Sequence, residues 1–442
     1  MGTGRIGLRD AALLTMGGIV GVGIFYNPSR VAELSDSPAH SLSLWALGGL
    51  AALCGGATFA ELGARLPRAG GWYVYLREAV HPLVAWLFAW AVVGVVSTGA
   101  IAVVMTIALQ NFAALWPALG GPGTVEGRLA ASLAIVLATA VVASGVQAGA
   151  RLQSALMALK IAAMLAFVAG AFWLASPASA SEPVVAIERS GSWWSRSLQG
   201  MLPVLFTCGG WHMVAYLAHE VREPRRTLPR AIVLGVVAVV ALYIALVAAF
   251  LHVLGLEGVA ADRDFAGRAA EACLGPAGGA WLRGAMGLSA LGMMVVIVLA
   301  SPWMVVAMSR DGALPASIGA LHAKSGAPVR ALALQATLAL AYLWLGTAEL
   351  LVESISFVEW IFHGLVVVAL FRLRRKDPDF DGFRAPTVAP LAYLALALCI
   401  VPGNLVALNL EAATIGGGVL LLATVAWFAT AKGRARRGRA TD

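Results

Sequence analysis

Two glycine-rich stretches, GGIVGVGIF at 17–25 and FTCGGWH at 206–212, are where this sequence can do chemistry with its main chain. Each sits in a long apolar run, and glycine is where a helix is weakest. An unpaired amide or carbonyl in hydrocarbon costs several kcal/mol, so irregular backbone at membrane depth survives only where protein or a water-filled cavity surrounds it. Interruptions of that kind free amides and carbonyls to hold a ligand; the bland alternative is close helix packing across glycine.

Side chains add a few candidates. Lys160 is the only Lys or Arg deep within an apolar run, and placing a Lys at the centre of a membrane helix costs roughly 2.5–3.5 kcal/mol. A group kept at that cost points to function, and a buried amine can bind and release a proton. Glu61 and Glu220 each close a glycine-bearing run, where Arg65, Arg68 or Arg225 could pair with them as an inner gate or leave them as solvated helix ends. His212 ends the second glycine stretch and either senses pH or packs. His252 and His363 look less informative. No cluster has metal-ligand spacing, no phosphate loop follows a strand and no nucleophile elbow occurs, which argues against an enzyme, a metal site or a cofactor.

The elements that must position these groups follow from composition. Of 442 residues, 60% are hydrophobic and 12% charged, against about 25% charged in an ordinary soluble domain. Uncharged or nearly uncharged runs recur at 11–29, 41–60, 83–116, 129–149, 152–175, 200–218, 231–256, 281–308, 329–345, 350–371, 386–410 and 413–430. Each is near or beyond the ~20 residues a helix needs to cross a bilayer. The expectation is one all-α integral membrane domain over 1–442 with about twelve transmembrane helices. The glycine breaks fall in the first and sixth runs, the spacing of two five-helix inverted repeats that each open on a broken helix. The expected boundaries are about 6–175 and 197–372 for the repeats and about 386–431 for two additional helices; the longest polar stretches, 176–199 and 258–279, are loop-sized.

The net charge of +8 is distributed by side rather than by patch. With the N-terminus placed in the cytoplasm, 23 of the 31 Lys and Arg fall in cytoplasmic loops, seven fall outside, and Lys160 lies within a span. That bias is the positive-inside rule and predicts cytoplasmic termini. The basic stretch after Thr430 then reads as a topology signal in contact with anionic lipid, not as a nucleic-acid arm. Cys54, Cys208, Cys273 and Cys399 show no disulfide pattern.

With these residues in view, the chain resembles the amino acid, polyamine and organocation transporter superfamily, especially its L-type amino acid transporter branch. GGIVGVGIF is similar to that branch's first-helix motif, and FAELGARLPRAGGWYVYLREAVHP (59–82) to its second helix and following loop. RLQSALMALKIAAMLAFV (151–168) resembles the fifth helix, FTCGGWHMVAYLAHEVREPRRTLPRAI (206–232) the sixth, and VVAMSRDGALP (305–315) the end of the eighth. The resemblance implies a broken-helix fold, an amino acid substrate and alternating access. On the family pattern the amides around Gly21, Val22 and Gly23 take the substrate carboxylate, while the carbonyls of Ile19, Phe206 and Gly209 take its ammonium. Phe206 is the implied aromatic lid. Lys160 matches the fifth-helix lysine that stands where sodium lies in sodium-driven relatives, tying helix one to helix eight, with Ser289 as its candidate partner. It is implied to be either a fixed sodium surrogate or a protonation site. Val22, Cys208, His212 and Val295 depart from the family's usual residues and imply a less polar, differently shaped pocket.

The reading is therefore a sodium-independent secondary transporter of neutral L-amino acids in the inner or plasma membrane, an exchanger or a proton symporter, with the substrate, the bilayer and candidate protons as its partners. A cationic amino acid or polyamine carrier is the rival within transport and would need carboxylates near the breaks, with Glu353 and Glu359 as the candidates. A non-transporting amino acid sensor is the rival of another class, expected to carry a signalling domain that the stretch after Thr430 does not supply. Animal members of the branch join a glycoprotein through a cysteine between helices three and four; the loop 117–128 has none, so no disulfide-linked heavy subunit is expected.

Overall fold

Apolar runs that leave no backbone group for lipid to satisfy fold as helices here, with interruptions only where other segments cover them. The computed structural model describes residues 4–175, 189–346, 348–407 and 410–429, of which 348–358, 401–407, 410–413 and 415 are described by backbone alone. Glu353 and the basic stretch after Thr430 therefore lie outside the described side chains. The described residues are helical, with a single parallel bridge between Ile6 and Val221.

The first segment is α1 (Leu8–Ile19), a short 3₁₀ turn (Gly23–Phe25) and α2 (Asn27–Glu33). Next come α3 (Pro38–Arg65), α4 (Trp72–Ala79), α5 (Pro82–Ala91) running through a π stretch into α6 (Ser97–Leu115), α7 (Val125–Ala143) and α8 (Val146–Trp173). The second half opens with α9 (Trp193–Thr207), α10 (Met213–Tyr216) and a 3₁₀ turn (Ala218–Glu220). It continues through α11 (Pro224–Ala260), α12 (Phe265–Leu274), α13 (Pro276–Ala300), α14 (Pro302–Arg310), α15 (Val329–Leu345) and α16 (Ala348–Lys376). Two further helices, α17 (Val388–Ala407) and α18 (Leu410–Ala429), follow. Among the described residues, six stretches are individually long and apolar enough to cross a membrane: 38–65, 82–115, 125–143, 146–173, 224–260 and 276–310. The broken segments and the shorter or more polar helices complete the multi-span array. Residues 258–279, expected as loop, instead carry α12 and the end of α11, which turns at Gly255 in a positive-φ conformation.

The two halves repeat one plan. Each opens on a broken helix, and each has an irregular third member: the π stretch at Val92–Val96 and the Ser301–Pro302 break between α13 and α14. Both irregularities are covered by side chains. The Gly94 carbonyl accepts from Tyr342 Oη at 2.6 Å and Thr98 Oγ1 at 3.0 Å. The Ile297 carbonyl accepts from Ser301 Oγ at 2.9 Å and Gln335 Nε2 at 3.4 Å. This is how non-helical backbone survives at membrane depth. Helices α3 and α11 pack across small residues: a Cβ on Gly49 or Gly63 would meet Val240 or Leu228 within 2.4 Å, the close approach that membrane helices obtain from glycine. Ser37 caps α3 by accepting from the His40 amide at 3.1 Å, with Pro38 as the first helical residue.

Candidate functional site

The glycines of the first stretch divide their work. Gly17 and Gly18 lie inside α1, and their missing side chains make room: a Cβ on Gly18 would stand 2.6 Å from the Gly210 carbonyl oxygen. Helix α1 ends at Ile19, and the chain turns through Val20, Gly21 and Val22 before the 3₁₀ turn. In the second segment α9 ends at Thr207, and Cys208 to His212 link it to α10. Gly210 has φ of 103°, and a Cβ there would lie 2.0 Å from the Gly18 carbonyl oxygen. The two breaks thus touch backbone to backbone. Their distal halves are also joined: Asn27 Nδ2 donates to Thr207 Oγ1 at 2.6 Å and to the Pro203 carbonyl at 3.3 Å. Arg196 of α9 bonds Asp36, in the turn after α2, at 2.5 Å.

Three helices hold the first break. Lys160 of α8, 2% exposed, donates from Nζ to the Val20 carbonyl at 2.9 Å. Ser289 of α13 donates to the Gly21 carbonyl at 3.0 Å. Tyr243 of α11, which no local sequence signal singles out, donates to the Ile19 carbonyl at 3.0 Å. Three consecutive carbonyls at the end of α1 are therefore each engaged by a side chain from a different helix. A small cavity of about 10 Å³ lies beside Lys160 and Ser289, room for one water molecule.

The placed residues match the expected site unevenly. The amides of Val22 and Gly23 have no backbone acceptor among the described residues, while the Gly21 amide donates to Ile19 at 2.8 Å. With Tyr243 that fills both lone pairs of the Ile19 carbonyl, so this oxygen is taken in the present conformation. The Phe206 carbonyl accepts from the Gly209 amide at 3.2 Å. The Phe206 side chain is 71% exposed and continues an apolar stripe with Leu198 and Leu202 at i, i+4, i+8; the structure does not bring it over the breaks. Among the departures from the family pattern, Val22, Cys208, His212 and Val295 are all buried.

The two glutamates stand at the arginine-rich end. Glu61 is fully buried and accepts from Arg65 Nε at 2.9 Å, Arg374 Nη2 at 2.5 Å and the Ala385 amide at 2.8 Å. It joins α3 to α16 and to the link into α17. Arg374 was missed because it lies 313 residues away in sequence. Arg68 pairs with Glu78 at 3.0 Å and Arg225 lies 3.7 Å from Asp381, so neither reaches Glu61. Glu220 lies 4.0 Å from Arg5, and its carbonyl accepts the Ile6 amide at 2.9 Å, which staples the N-terminal segment beneath α10. A cavity of about 370 Å³ opens at this end between Arg68, Arg77, His219, Arg310 and Asp311. Among the described residues no three His, Cys, Asp or Glu side chains converge as metal ligands would.

One region was passed over in the sequence. His363 of α16 packs against Trp72, with ring centroids 4.6 Å apart, and lies 6.4 Å from His212. Its Nδ1 is bonded to Tyr393 Oη.

Comparison of the sequence with known proteins gives the family. The family model described as amino acid permease matches residues 6–428. The chain is similar to the mouse b(0,+)-type amino acid transporter 1, 26% identical over 90% of this chain and 82% of that protein. It is also similar to the human large neutral amino acids transporter small subunit 2, at 28% over 88% and 74%. The mouse Asc-type amino acid transporter 1 matches at 26% over 95% and 79%. An all-helical membrane array whose first and sixth segments break against each other, matched by that model over nearly its whole length, belongs to the amino acid permease family.

Proposed function

We propose that this chain is a sodium-independent carrier of neutral L-amino acids that works by alternating access, as an exchanger or with protons. The observation that carries this reading is the pair of bonds at the first break: Lys160 Nζ on the Val20 carbonyl and Ser289 on the Gly21 carbonyl. A fixed ammonium stands where carbonyls left by a broken helix would otherwise hold a cation, so the fold needs no sodium ion to hold α1 against α8 and α13.

The substrate's carboxylate meets the amides of Val22 and Gly23, with Gly21 beside them, at the start of the 3₁₀ turn. Its ammonium meets the carbonyls of Phe206 and Gly209, with Ile19 joining once Tyr243 releases it. Main-chain groups of this kind select the zwitterion common to amino acids and leave the side chain to the walls, which Val22 and Cys208 make apolar. Phe206 becomes the lid when α9 rotates toward α1. Glu61 with Arg65 and Arg374, and Glu220 with Arg5, close the cytoplasmic side, the termini lie in the cytoplasm, and 6–175 and 197–372 act as the two rocking repeats. With no cysteine in the loop 117–128, the carrier works without a disulfide-linked heavy subunit; a redox-sensitive heteromer on gels would contradict that.

Radiolabelled uptake into liposomes tests the reading, with a panel of neutral, cationic and acidic amino acids and a diamine, with and without internal substrate and sodium. Neutral amino acids are expected to accumulate when neutral substrate is inside, at the same rate after sodium is replaced. Uptake of cationic substrates alone would favour the cationic carrier, and binding without uptake would favour a sensor.

A further inference from the structure

The cavity at the arginine-rich end takes no part in substrate binding as described above. Its volume of about 370 Å³ falls within the roughly 300–1,000 Å³ of small-molecule sites. One wall is α4 with the link that joins it to α3, and the other is the end of α14 with the 3₁₀ turn after α10. Two glycines fix the walls against each other. Gly70 has φ of 103°, its amide donates to the Tyr216 carbonyl at 3.3 Å, and a Cβ there would stand 2.5 Å from the Ala307 Cβ. Gly71 has φ of 47°, and a Cβ there would lie 3.2 Å from the Tyr216 amide nitrogen. Glycine is the residue that adopts such backbone freely. The His219 ring completes the second wall, packed on Trp303 with centroids 4.1 Å apart. Close backbone contacts, not long movable side chains, hold this hollow open.

Its charges do not balance. Arg68 and Arg77 both reach Oε1 of Glu78, at 3.0 and 3.4 Å, so two like charges stand side by side against one carboxylate. Arg77 also pairs with Asp311 at 3.0 Å. Arg310, exposed on the facing wall, has no ion pair among the described residues. Three cations thus face two carboxylates. Arg68 and Arg77 make these pairs through Nη1 alone, and a guanidinium carries five N–H donors, so most of their donors are open. A free amino acid would bring its ammonium into the same field, where three guanidiniums repel it. A phosphate brings no cation, carries about 1.5 to 2 negative charges at neutral pH, and presents oxygens in several directions to forks that come from two walls.

We propose that this cavity is a phosphate-binding site, formed by Arg68 and Arg77 on one wall and Arg310 on the other. A phosphate held there bridges α4 to α14 and adds to the Arg77–Asp311 pair. Its source is a soluble phosphate or the headgroup of an anionic lipid, since basic pockets between membrane helices take such headgroups. The recognition chemistry is the same for both, and the test separates them. No lining residue belongs to either break, so the site goes beyond the carrier reading and does not depend on it.

Binding to purified full-length protein in detergent tests the site in two arms. Equilibrium dialysis with radiolabelled inorganic phosphate reads the soluble source. Native mass spectrometry with dioctanoyl phosphatidic acid, against dioctanoyl phosphatidylcholine as the zwitterionic comparison, reads the lipid source. Saturable binding of one phosphate or one phosphatidic acid per chain is expected in at least one arm, and the arm that binds identifies the source. Arg310→Gln and Arg68→Gln should each weaken its Kd by about tenfold or more, the loss of one charge-assisted bond. Arg330→Gln, on an arginine outside the cavity that bonds the Ser317 carbonyl, should change it by less than about twofold. Each variant is checked for folding by its elution profile, and Arg310, which has no ion pair to lose, gives the variant least able to disturb the fold. Two blank arms, phosphatidylcholine binding as tightly as phosphatidic acid, or cavity variants that weaken binding no more than Arg330→Gln does, would overturn the proposal and leave the carrier reading untouched.

Discussion

The two breaks are built from similar glycine-rich sequence but held in opposite ways. At the first, three successive carbonyls are engaged by Tyr243, Lys160 and Ser289 from three helices. At the second, Trp211 Nε1 and His212 Nδ1 lack partners among the described residues, and the neighbours are aromatic rings. A charge-assisted hydrogen bond in a buried setting contributes about 1.5–3 kcal/mol and a neutral one about 0.5–1.5, so the first break is the anchored one. If the carrier works by alternating access as proposed, the second segment is the one expected to move.

The sharpest way to break that comparison is at the contact between the breaks. Gly210→Ala puts a methyl 2.0 Å from the Gly18 carbonyl oxygen at φ of 103°, and uptake in liposomes should fall below detection. Gly209→Ala has 3.3 Å to its nearest neighbour and should keep substantial uptake; equal losses would show that the contact is not what matters. Lys160→Met comes next. It removes the ammonium from the Val20 carbonyl, and the bond's worth translates into a fall in transport of about 10–100-fold. Undiminished transport would remove Lys160 from both the surrogate and the protonation role.

Smaller effects separate the neutral anchors. Ser289→Ala and Tyr243→Phe should each lower transport by about 2–10-fold, measured as initial rates, with Tyr243→Phe also freeing the Ile19 carbonyl and so affecting substrate affinity. The smallest effect concerns the pair that ties the distal halves together. The hydrogen bond from Arg196 holds the exposed Asp36 carboxyl below its ordinary 3.8. A depressed folded-state value means the pair's stabilisation is present above 3.8 and is lost as pH falls through the lower folded value. Asp36→Asn should therefore leave thermal stability near pH 7 almost unchanged and flatten its decline in acid.

Much of the fold was legible because its signals are local. Apolar runs of membrane length, the glycine stretches and a single intramembrane lysine mark the spans, the breaks and the anchor, and Lys160 could be singled out because a buried amine is costly wherever it sits. What escaped depends on partners distant in sequence. Tyr243 lies 224 residues from Ile19, and Arg374 lies 313 from Glu61; nothing near either residue marks it. His363 shares a face of α16 with Glu359 one turn earlier, and no local signal joins it to Trp72 or His212. The orientation of Phe206 had a signal, since Leu198, Leu202 and Phe206 recur at helical spacing as one apolar stripe. The family motif drew attention to the residue and not to the face it occupies. Gly17 and Gly18 show why packing and unwinding need not exclude each other: one motif supplies both, a turn apart.

On the proposed reading, main-chain groups of the two breaks hold the carboxylate and the ammonium of one zwitterion. Competition against uptake of a transported neutral amino acid tests it most directly, using the free amino acid, its methyl ester and its N-acetyl derivative with the same side chain. The free amino acid should compete fully, while the ester and the N-acetyl derivative, each lacking one charged end, should compete at least about tenfold more weakly, the loss of one charge-assisted bond. Equal competition by all three would mean that the side chain alone is recognised and that the breaks do not form the binding site.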